Sequence, residues 1–574
     1  MSTIDPTRSH KRTQKSEAVA ENGMVTAMHP LAAEAGVEIL RSGGNAADAA
    51  VATALAISVV EPFMSGLGGC AYAVSYDAKR ATTSCYEGSA RAPQESHEDM
   101  FELVDADLKS DGLYGWRATV DDAAETGHRA VAVPGTVAAL GMLHEAEGNK
   151  PWKELVAPAI RLAEGVPVDE YFFTQSAASA ARLKAFDHTM EIFFEPDGTP
   201  KVPGAAGGLR QEELARTFAV LAEEGPQSFY TGSLASAIVD GVRAGGGILS
   251  LEDLAQYTAR RFDPLWVRYG DATIATLPEN SGGPTLALAL SLLDGFDLAS
   301  LPYDSVSRLH LIAEALRMAF TDRFRYLGDS ELLAIPFEGL FSDEYLSERR
   351  KLMTSEGHRL ETLPEGDPWR YDSKSPSSLQ GSGDSASQQT THLNVIDKDG
   401  NMVALTGTLG ARFGSGVTVP ELGVVLNNGM MWFDPEPGHK SSVSPGKRAL
   451  HAAAPSLLFN DGVPSAAVGS PGGRKIMSAV LQVLLAMLDH GMGPKDACAA
   501  PRIHCESAPG VLVETGFSSE VADGLRARGH DITFASEGFV ATNFGRPTAI
   551  VFDHARHELR GGVEPYRVSA AIGY

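Results

Sequence analysis

Cysteine is scarce: Cys70, Cys85, Cys498 and Cys505 are the four in a chain of 574 residues. None pairs as CxxC and their scatter gives no disulfide framework, so a stapled secreted fold and a zinc ribbon are excluded; the four read as small buried hydrophobes. Hydrophobic runs of membrane length are missing too. The longest apolar stretch, Ala49 to Val60, is bounded by Asp48 and by Glu61-Pro62 and falls short of the roughly 18 residues that a span needs. It is read as a core helix. Basic charge is outweighed, with 48 Lys+Arg against 73 Asp+Glu for a formal net charge of −25. So negative a surface repels phosphate backbones and anionic lipid, and neither a nucleic acid nor a membrane is expected as partner. The opening MSTIDPTRSHKRTQKSE has no apolar core. No secretory signal is read, a cytoplasmic location is expected, and residues 1–20 are expected to form a disordered tail.

Several motifs are absent as well. Without HExxH, GxxxxGK[ST] or GxSxG, the zincin, P-loop and α/β-hydrolase readings lack their signatures, and neither metal nor organic cofactor is expected. Gly66-Leu-Gly68-Gly69 imitates a dinucleotide fingerprint, but it runs into a β-type segment where a helix is required, so it is read as a tight turn. Ser444-Pro-Gly-Lys447 has SxxK spacing, but its Pro-Gly forbids the helical turn that would set the serine beside the lysine.

What is present is an ordinary globular composition, 43% apolar and 21% charged, with ample length for a large core. LAAEAGVEILRSGGN and AADAAVATALAISVV read as consecutive helices, Gly43-Gly44 ending the first and Asn45 capping the second. AYAVSYDAKRATTSCYEG reads as a hairpin. Residues 131–329 read as mostly helical. From Ser355 to Gln389 aliphatic residues nearly vanish and Ser, Gly, Asp and Pro dominate, which predicts a mobile linker. TTHLNVIDKDGNMVALTGTL then opens a hairpin on an Asp-Gly-Asn turn, with Thr390 at the start of its first strand. Further strand pairs surround Asn460-Asp461-Gly462 and end the chain. Helices before the linker and hairpins with helices after it predict an α+β layered fold whose sheet draws strands from both halves.

The junction Gln389-Thr390 carries the chemical signal. If the backbone is cut there, Thr390 owns a free α-amine beside its hydroxyl, and an amine of pKa ~8 can serve as that hydroxyl's base. Thr408 lies on the returning strand, where its hydroxyl can orient Thr390; the bland reading is that threonine is simply a common strand residue. Gly472 and Gly473 stand at the start of an apolar helix, where free N–H groups suit an oxyanion hole or merely form a helix-entry turn.

Taken together, these segments resemble the gamma-glutamyltransferase (glutathione hydrolase) family of N-terminal-nucleophile hydrolases. The resemblance runs from about Glu21 to Tyr574 through GMVTAMHPLAAEAGVEILRSGGNAADAAVA, SGLGG, AVPGTV, SLEDLAQY, SGGPTLALALSLLDGF, AEALRMAFTDRFRYLGD, TTHLNVIDKDGN, FGSG, LNN, PGKR, VGSPGG and APRIH. It implies an αββα four-layer sandwich and a proenzyme that cuts its own Gln389-Thr390 bond. The products would be a large chain (21–389, with 355–389 the mobile linker) and a small chain (390–574), joined as one structural unit, with further dimerisation left open. It also implies Thr390 as nucleophile, Thr408 as its hydroxyl partner, and Gly472 and Gly473 as oxyanion donors.

Departures fall where the family grips the α-amino and α-carboxylate groups of its substrate. The arginine of R-E-x-A-P is Ser89, in GSARAP. The asparagine two residues after the partner threonine is Gly410, the Gln and Asp of N-N-Q-M-D-D-F are Gly429 and Trp432, and the paired serines of P-L-S-S-M are His451 and Ala452. Losing one partner of a desolvated charge pair costs about 2–5 kcal/mol, so γ-glutamyl transfer is expected to be poor. The pattern resembles the cephalosporin-acylase-like branch, with Met430, Met431 and Trp432 lining a remodelled acyl pocket. Arg91 or Arg412 is a candidate for a carboxylate on the acyl chain, and His392 and His451 for polar contacts. The expectation is therefore a self-cleaving amide hydrolase acting on a small-molecule amide. A glutathione hydrolase or γ-glutamyltransferase is the first alternative, and an unprocessed ligand-binding relative the second.

Overall fold

The computed structural model describes residues 14–104, 108–110, 115–204, 207–360, 363–375 and 389–574. Two seven-stranded antiparallel sheets form its centre. The first runs, in spatial order, Ala570–Gly573, Gly23–Ala27, Gln389–Asp397, Met402–Gly410, Cys70–Asp77, Thr82–Gly88 and Arg260–Phe262. The second runs Ala18–Ala20, Glu558–Val563, Thr548–Asp553, Val463–Gly469, Ser456–Asn460, Ala272–Thr276 and Leu265–Tyr269. Each sheet takes strands from both sides of the Gln389-Thr390 junction.

Strand periodicity assigns the layers, because successive side chains point to opposite faces. Met24, Tyr72, Val74, Ile396, Met402 and Ala404 meet Leu457, Phe459, Ala467 and Ile550 in a core between the sheets. Their alternates Val25, Ala73, Val395, Val403 and Leu405 pack under the helices Pro30–Arg41 and Ala46–Val60. On the other side Ile274, Leu458, Ala466, Val468 and Ala549 pack under Gly283–Leu293, Val306–Tyr326 and Lys475–His490. The layers thus run helix, sheet, sheet, helix, as the resemblance implied. With both faces covered, Met402–Gly410 is buried along its whole length, and so is Ala46–Val60, every residue of which is buried. Asn45 and Asp48 close its first turn as a capping box. All four cysteines are buried free thiols. Among the described residues no helix is long and apolar enough to cross a membrane.

Three expectations need correction. The tail expected over 1–20 is tied down at its end, since Ala18–Ala20 is an edge strand, Lys15 Nζ donates to Ser569 Oγ at 2.8 Å and Glu17 pairs with Arg560 at 2.6 Å; residues 1–13 lie outside the described set. The region 131–329 is not all helical: RRFDPLWVRYGDATIAT contributes Arg260–Phe262, Leu265–Tyr269 and Ala272–Thr276, whose short alternating pattern around Gly270 is a strand signal that the surrounding helices obscured. Within the stretch read as a mobile linker, Pro368–Tyr371 is a short 3-10 turn with Pro368 buried; residues 376–388 lie outside the described set.

Candidate active site

Thr390 stands at an irregularity in its own ladder. Gln389 pairs with Gly410 and Thr391 with Gly407, so Thr390 alone faces Thr408 and Leu409 across the strand pair. Such a bulge re-aims one side chain and is common beside active sites. Asn394, two same-face steps further along the strand, donates to the Thr548 carbonyl of the second sheet at 3.2 Å. That places the polar row Thr390, His392 and Asn394 on the face between the sheets. Thr390 itself is only 3% exposed.

The two expected halves of the site meet here. Gly472 donates its backbone N–H to Thr390 Oγ1 at 2.9 Å. Its φ is +139°, and a Cβ there would lie 2.9 Å from Gly545 Cα, so this turn excludes any side chain. Gly473 follows at φ +63°, and its carbonyl accepts from Ile476 as the helix Lys475–His490 begins. The Gly472 N–H therefore combines a hydrogen bond with the positive end of a helix dipole at the Thr390 hydroxyl oxygen. Thr408 is buried on the returning strand, pairs with Cys70 on its far side, and its Oγ1 accepts from the Gly410 amide at 2.9 Å.

Arg546 joins these halves and has no counterpart among the expected residues. Its Nη2 donates to the Thr390 carbonyl at 2.7 Å and its Nη1 to the Tyr171 hydroxyl at 3.1 Å. Its backbone N–H reaches Ser470 Oγ at 2.9 Å and the Pro471 carbonyl at 3.1 Å. Glu61 lies below, with Oε1 3.7 Å from Arg546 Nη1 and Oε2 accepting from Thr391 Oγ1 at 3.3 Å. A lone arginine in FGRP and a glutamate closing an apolar helix carry no local signature, and only the fold brings them together.

The expected substrate-binding residues separate into groups. Ser89 is buried, with Oγ 3.5 Å from the Tyr72 hydroxyl, and its carbonyl accepts from Tyr257 at 2.6 Å. His451 stacks on Tyr72 with centroids 3.8 Å apart, and neither ring nitrogen has a hydrogen-bond partner among the described residues. Burial, then Arg323 and Arg260, push its imidazole well below the usual range, so it is neutral. Trp432 is buried with its Nε1 similarly unpartnered. Met431 closes over Gly410, its Cε 3.3 Å from where a Cβ on that glycine would sit. Gly410 has φ +99°, and the same Cβ would meet Asn428 Oδ1 at 2.2 Å; that oxygen accepts from the Ala411 amide instead. Gly429 sits against Ala90 and Ala132 with its amide on Asn427 Oδ1.

Other assignments lead away from the site. Arg91 is a brace: its Nε donates to the Gly446 carbonyl at 2.6 Å and its backbone bridges Val133 and Arg448. The Ala452 methyl belongs to the outer core under the helices rather than to the space between the sheets. His392 is a satisfied core histidine, bonded to Thr406 at 2.9 Å and Asn394 at 3.0 Å, with burial lowering its pKa to about 4. Arg412 is different. It is half-buried and its guanidinium has no hydrogen-bond or ion-pair partner among the described residues, with Nε fully enclosed. Burial lowers its pKa, Tyr171 opposes that shift, and the neighbouring Arg546 guanidinium adds to it. Lys447 gives its ammonium to the Lys440 and Ser442 carbonyls, so it forms no pair with Ser444.

Comparison with known proteins agrees with this fold. The family described as gamma-glutamyltranspeptidase matches residues 32–574. The glutathione hydrolase proenzyme of Bacillus subtilis (strain 168) is 36% identical over 560 residues, 97% of this chain and 92% of its own. The acylase ACY 1 proenzyme of Pseudomonas sp. (strain V22) is 35% identical over 527 residues, 90% of this chain and 88% of its own. Among solved structures, the cephalosporin acylase from Bacillus halodurans superposes with a TM-score of 0.85 at 30% identity, over 100% of this chain and 99% of that one. The Helicobacter pylori gamma-glutamyltranspeptidase gives a TM-score of 0.53 at 29% identity, over 60% of this chain and 94% of that one.

Proposed function

The chain belongs to the gamma-glutamyltranspeptidase family of hydrolases and acyltransferases, and from that premise we propose that it is a self-cleaving amide hydrolase whose acyl pocket no longer suits a γ-glutamyl group. Cleavage at Gln389-Thr390 would free the Thr390 amine. Thr390 Oγ then attacks the substrate carbonyl, its proton passing through that amine to the leaving nitrogen as the C–N bond breaks. The acyl group is left as an ester on Thr390. Water adds to the ester carbonyl, gives a proton back through the amine to Thr390 Oγ, and releases the acid. Gly472 and Gly473 are the donors for the oxyanion of each tetrahedral step.

One observation carries the reading. The Gly472 N–H is seated on Thr390 Oγ1 in the same molecule whose amino-acid grips are replaced by Ser89, Gly410, Gly429, Trp432, His451 and Ala452. The machinery of attack is retained while the charged anchors are gone. Arg412, beside Arg546 and Tyr171, has a guanidinium without a partner among the described residues, which favours an acyl chain bearing a carboxylate but no ammonium. The reading of a glutathione hydrolase is favoured by the Bacillus subtilis relative at 36% identity.

Intact mass of the purified chain beside a Thr390→Ala variant tests the first step. Fragments 1–389 and 390–574 are expected in the parent alone, and an uncut parent overturns the proposal. Turnover of glutaryl, adipyl, unsubstituted acyl and γ-glutamyl p-nitroanilides then separates the readings. A γ-glutamyl rate equal to the best of the others would establish the glutathione hydrolase instead.

A further inference from the structure

Glu61 is a buried carboxylate that the reaction above leaves unused. It follows the last residue of the helix Ala46–Val60, is 1% exposed, and its Oε1 makes no hydrogen bond among the described residues. Its other oxygen accepts from Thr391, the residue after the nucleophile, and Arg546 stands 3.7 Å from Oε1. The remaining titratable groups that face it are His29 and Asp169, themselves paired at 3.1 Å, and Tyr171, whose hydroxyl takes a hydrogen bond from Arg546. A carboxylate held in so dry a place is retained at a cost unless its partners use it.

Arg546 uses it in two directions. The guanidinium holds the carbonyl of Thr390, and the amide of the same residue holds the carbonyl of Pro471, which immediately precedes the oxyanion glycine. Nucleophile strand and glycine turn are thus tied to one residue, the first by its side chain and the second by its backbone, and the side chain's charge is balanced from below.

We propose that Glu61 is the positioning residue of this site: through Arg546 and Thr391 it sets the Thr390 carbonyl and the Pro471-Gly472 turn in a single geometry. The proposal rests on Thr390 being the nucleophile. Removing the charge leaves Arg546 uncompensated and free to turn toward other acceptors, so the N–H of Gly472 loses its register with the reacting oxygen. Because a misplacement of about 1 Å can cost ~10²-fold, the effect belongs in kcat and in self-cleavage rather than in substrate affinity. Burial holds the Glu61 carboxyl above its usual range, while Arg546 and His29 pull it back. Acidification should therefore neutralise Glu61 and reproduce the variant's defect.

The test uses the full-length chain and a Glu61→Gln variant, with the acylated fraction counted by active-site titration. We expect self-cleavage and kcat to fall about 10–100-fold with KM within twofold, loss of the parent's acidic decline in kcat, and partial rescue by Glu61→Asp. A titrated Glu61→Gln enzyme with the parent's kcat and acid limb overturns the proposal. If Glu61→Gln does not fold, Thr391→Val removes one contact and keeps the charge: a lowered kcat at unchanged KM supports the relay, and an unchanged kcat overturns it. Self-cleavage that persists in Thr390→Ala would instead overturn the nucleophile assignment, an outcome independent of any Glu61 variant.

Discussion

Gly472 gives its amide hydrogen to Thr390 Oγ1 across 82 positions of sequence. A donor on the hydroxyl oxygen favours its deprotonation and stands beside the oxyanion that forms on attack. Gly472→Ala keeps the N–H but displaces it, and should lower kcat by about 10²–10³-fold, as for one lost oxyanion donor. The substitution forces a methyl against Gly545 at a φ of +139°. Single-turnover kinetics of the cleaved variant would measure the loss, and a rate within threefold of the parent would remove Gly472 from the mechanism.

Arg412 should decide between charged and uncharged acyl chains. A hydrogen bond to a charged group is worth about 1.5–3 kcal/mol, so Arg412→Gln should reduce kcat/KM for a glutaryl amide about 10–100-fold. The same variant should leave the unsubstituted acyl amide of equal length nearly unchanged. Equal losses on both substrates would mean that Arg412 supports the loop rather than the ligand.

Gly410→Asn restores the residue that the family resemblance expects, yet it should not restore γ-glutamyl turnover. The new side chain would start at φ +99° and 2.2 Å from Asn428 Oδ1, a strain of about 1–3 kcal/mol. Urea unfolding should show that loss of stability. A rise in γ-glutamyl p-nitroanilide hydrolysis would show that Asn428 can yield the space.

His310 and His530 form a buried pair, Nδ1 to Nε2 at 2.7 Å. One nitrogen must donate and the other accept, so the bond is lost once both rings are protonated. Burial lowers them to about 4 and about 3, with Arg528 adding to the shift at His310 and the neighbouring His310 at His530. The folded form then binds fewer protons than the unfolded form between those values and the ordinary 6.5, so stability is retained above pH ~6.5 and lost as pH falls through that window. His530→Gln should flatten the dependence of the melting temperature on pH between about 6.5 and 4. An unchanged slope would place the acid sensitivity elsewhere.

Much of this molecule is legible without coordinates. The hairpin carrying Thr390 declares itself through alternation around Asp-Gly-Asn, and Ala46–Val60 through a cap followed by uninterrupted apolar residues. Thr390 and Gly472 stand out because a threonine that opens a strand after a Ser- and Gly-rich stretch and a glycine turn before a helix are local patterns. Leu265–Tyr269 is less legible: a short strand needs its neighbours to define which face is buried.

By itself the sequence determined the family and the layered α+β architecture, and it singled out Thr390 and the positions that differ from the expected glutamyl anchors. These are properties of residue type and spacing, which survive without a third dimension. The tertiary structure alone decided that Arg546 holds the Thr390 carbonyl from 156 positions away, that Glu61 lies beneath it, that Arg91 is a brace and that Arg412 has donors to spare. A buried charge takes its role from the partner that desolvation forces upon it, and that partner is chosen by how the two sheets and the covering helix stack, not by any residue beside it in the chain.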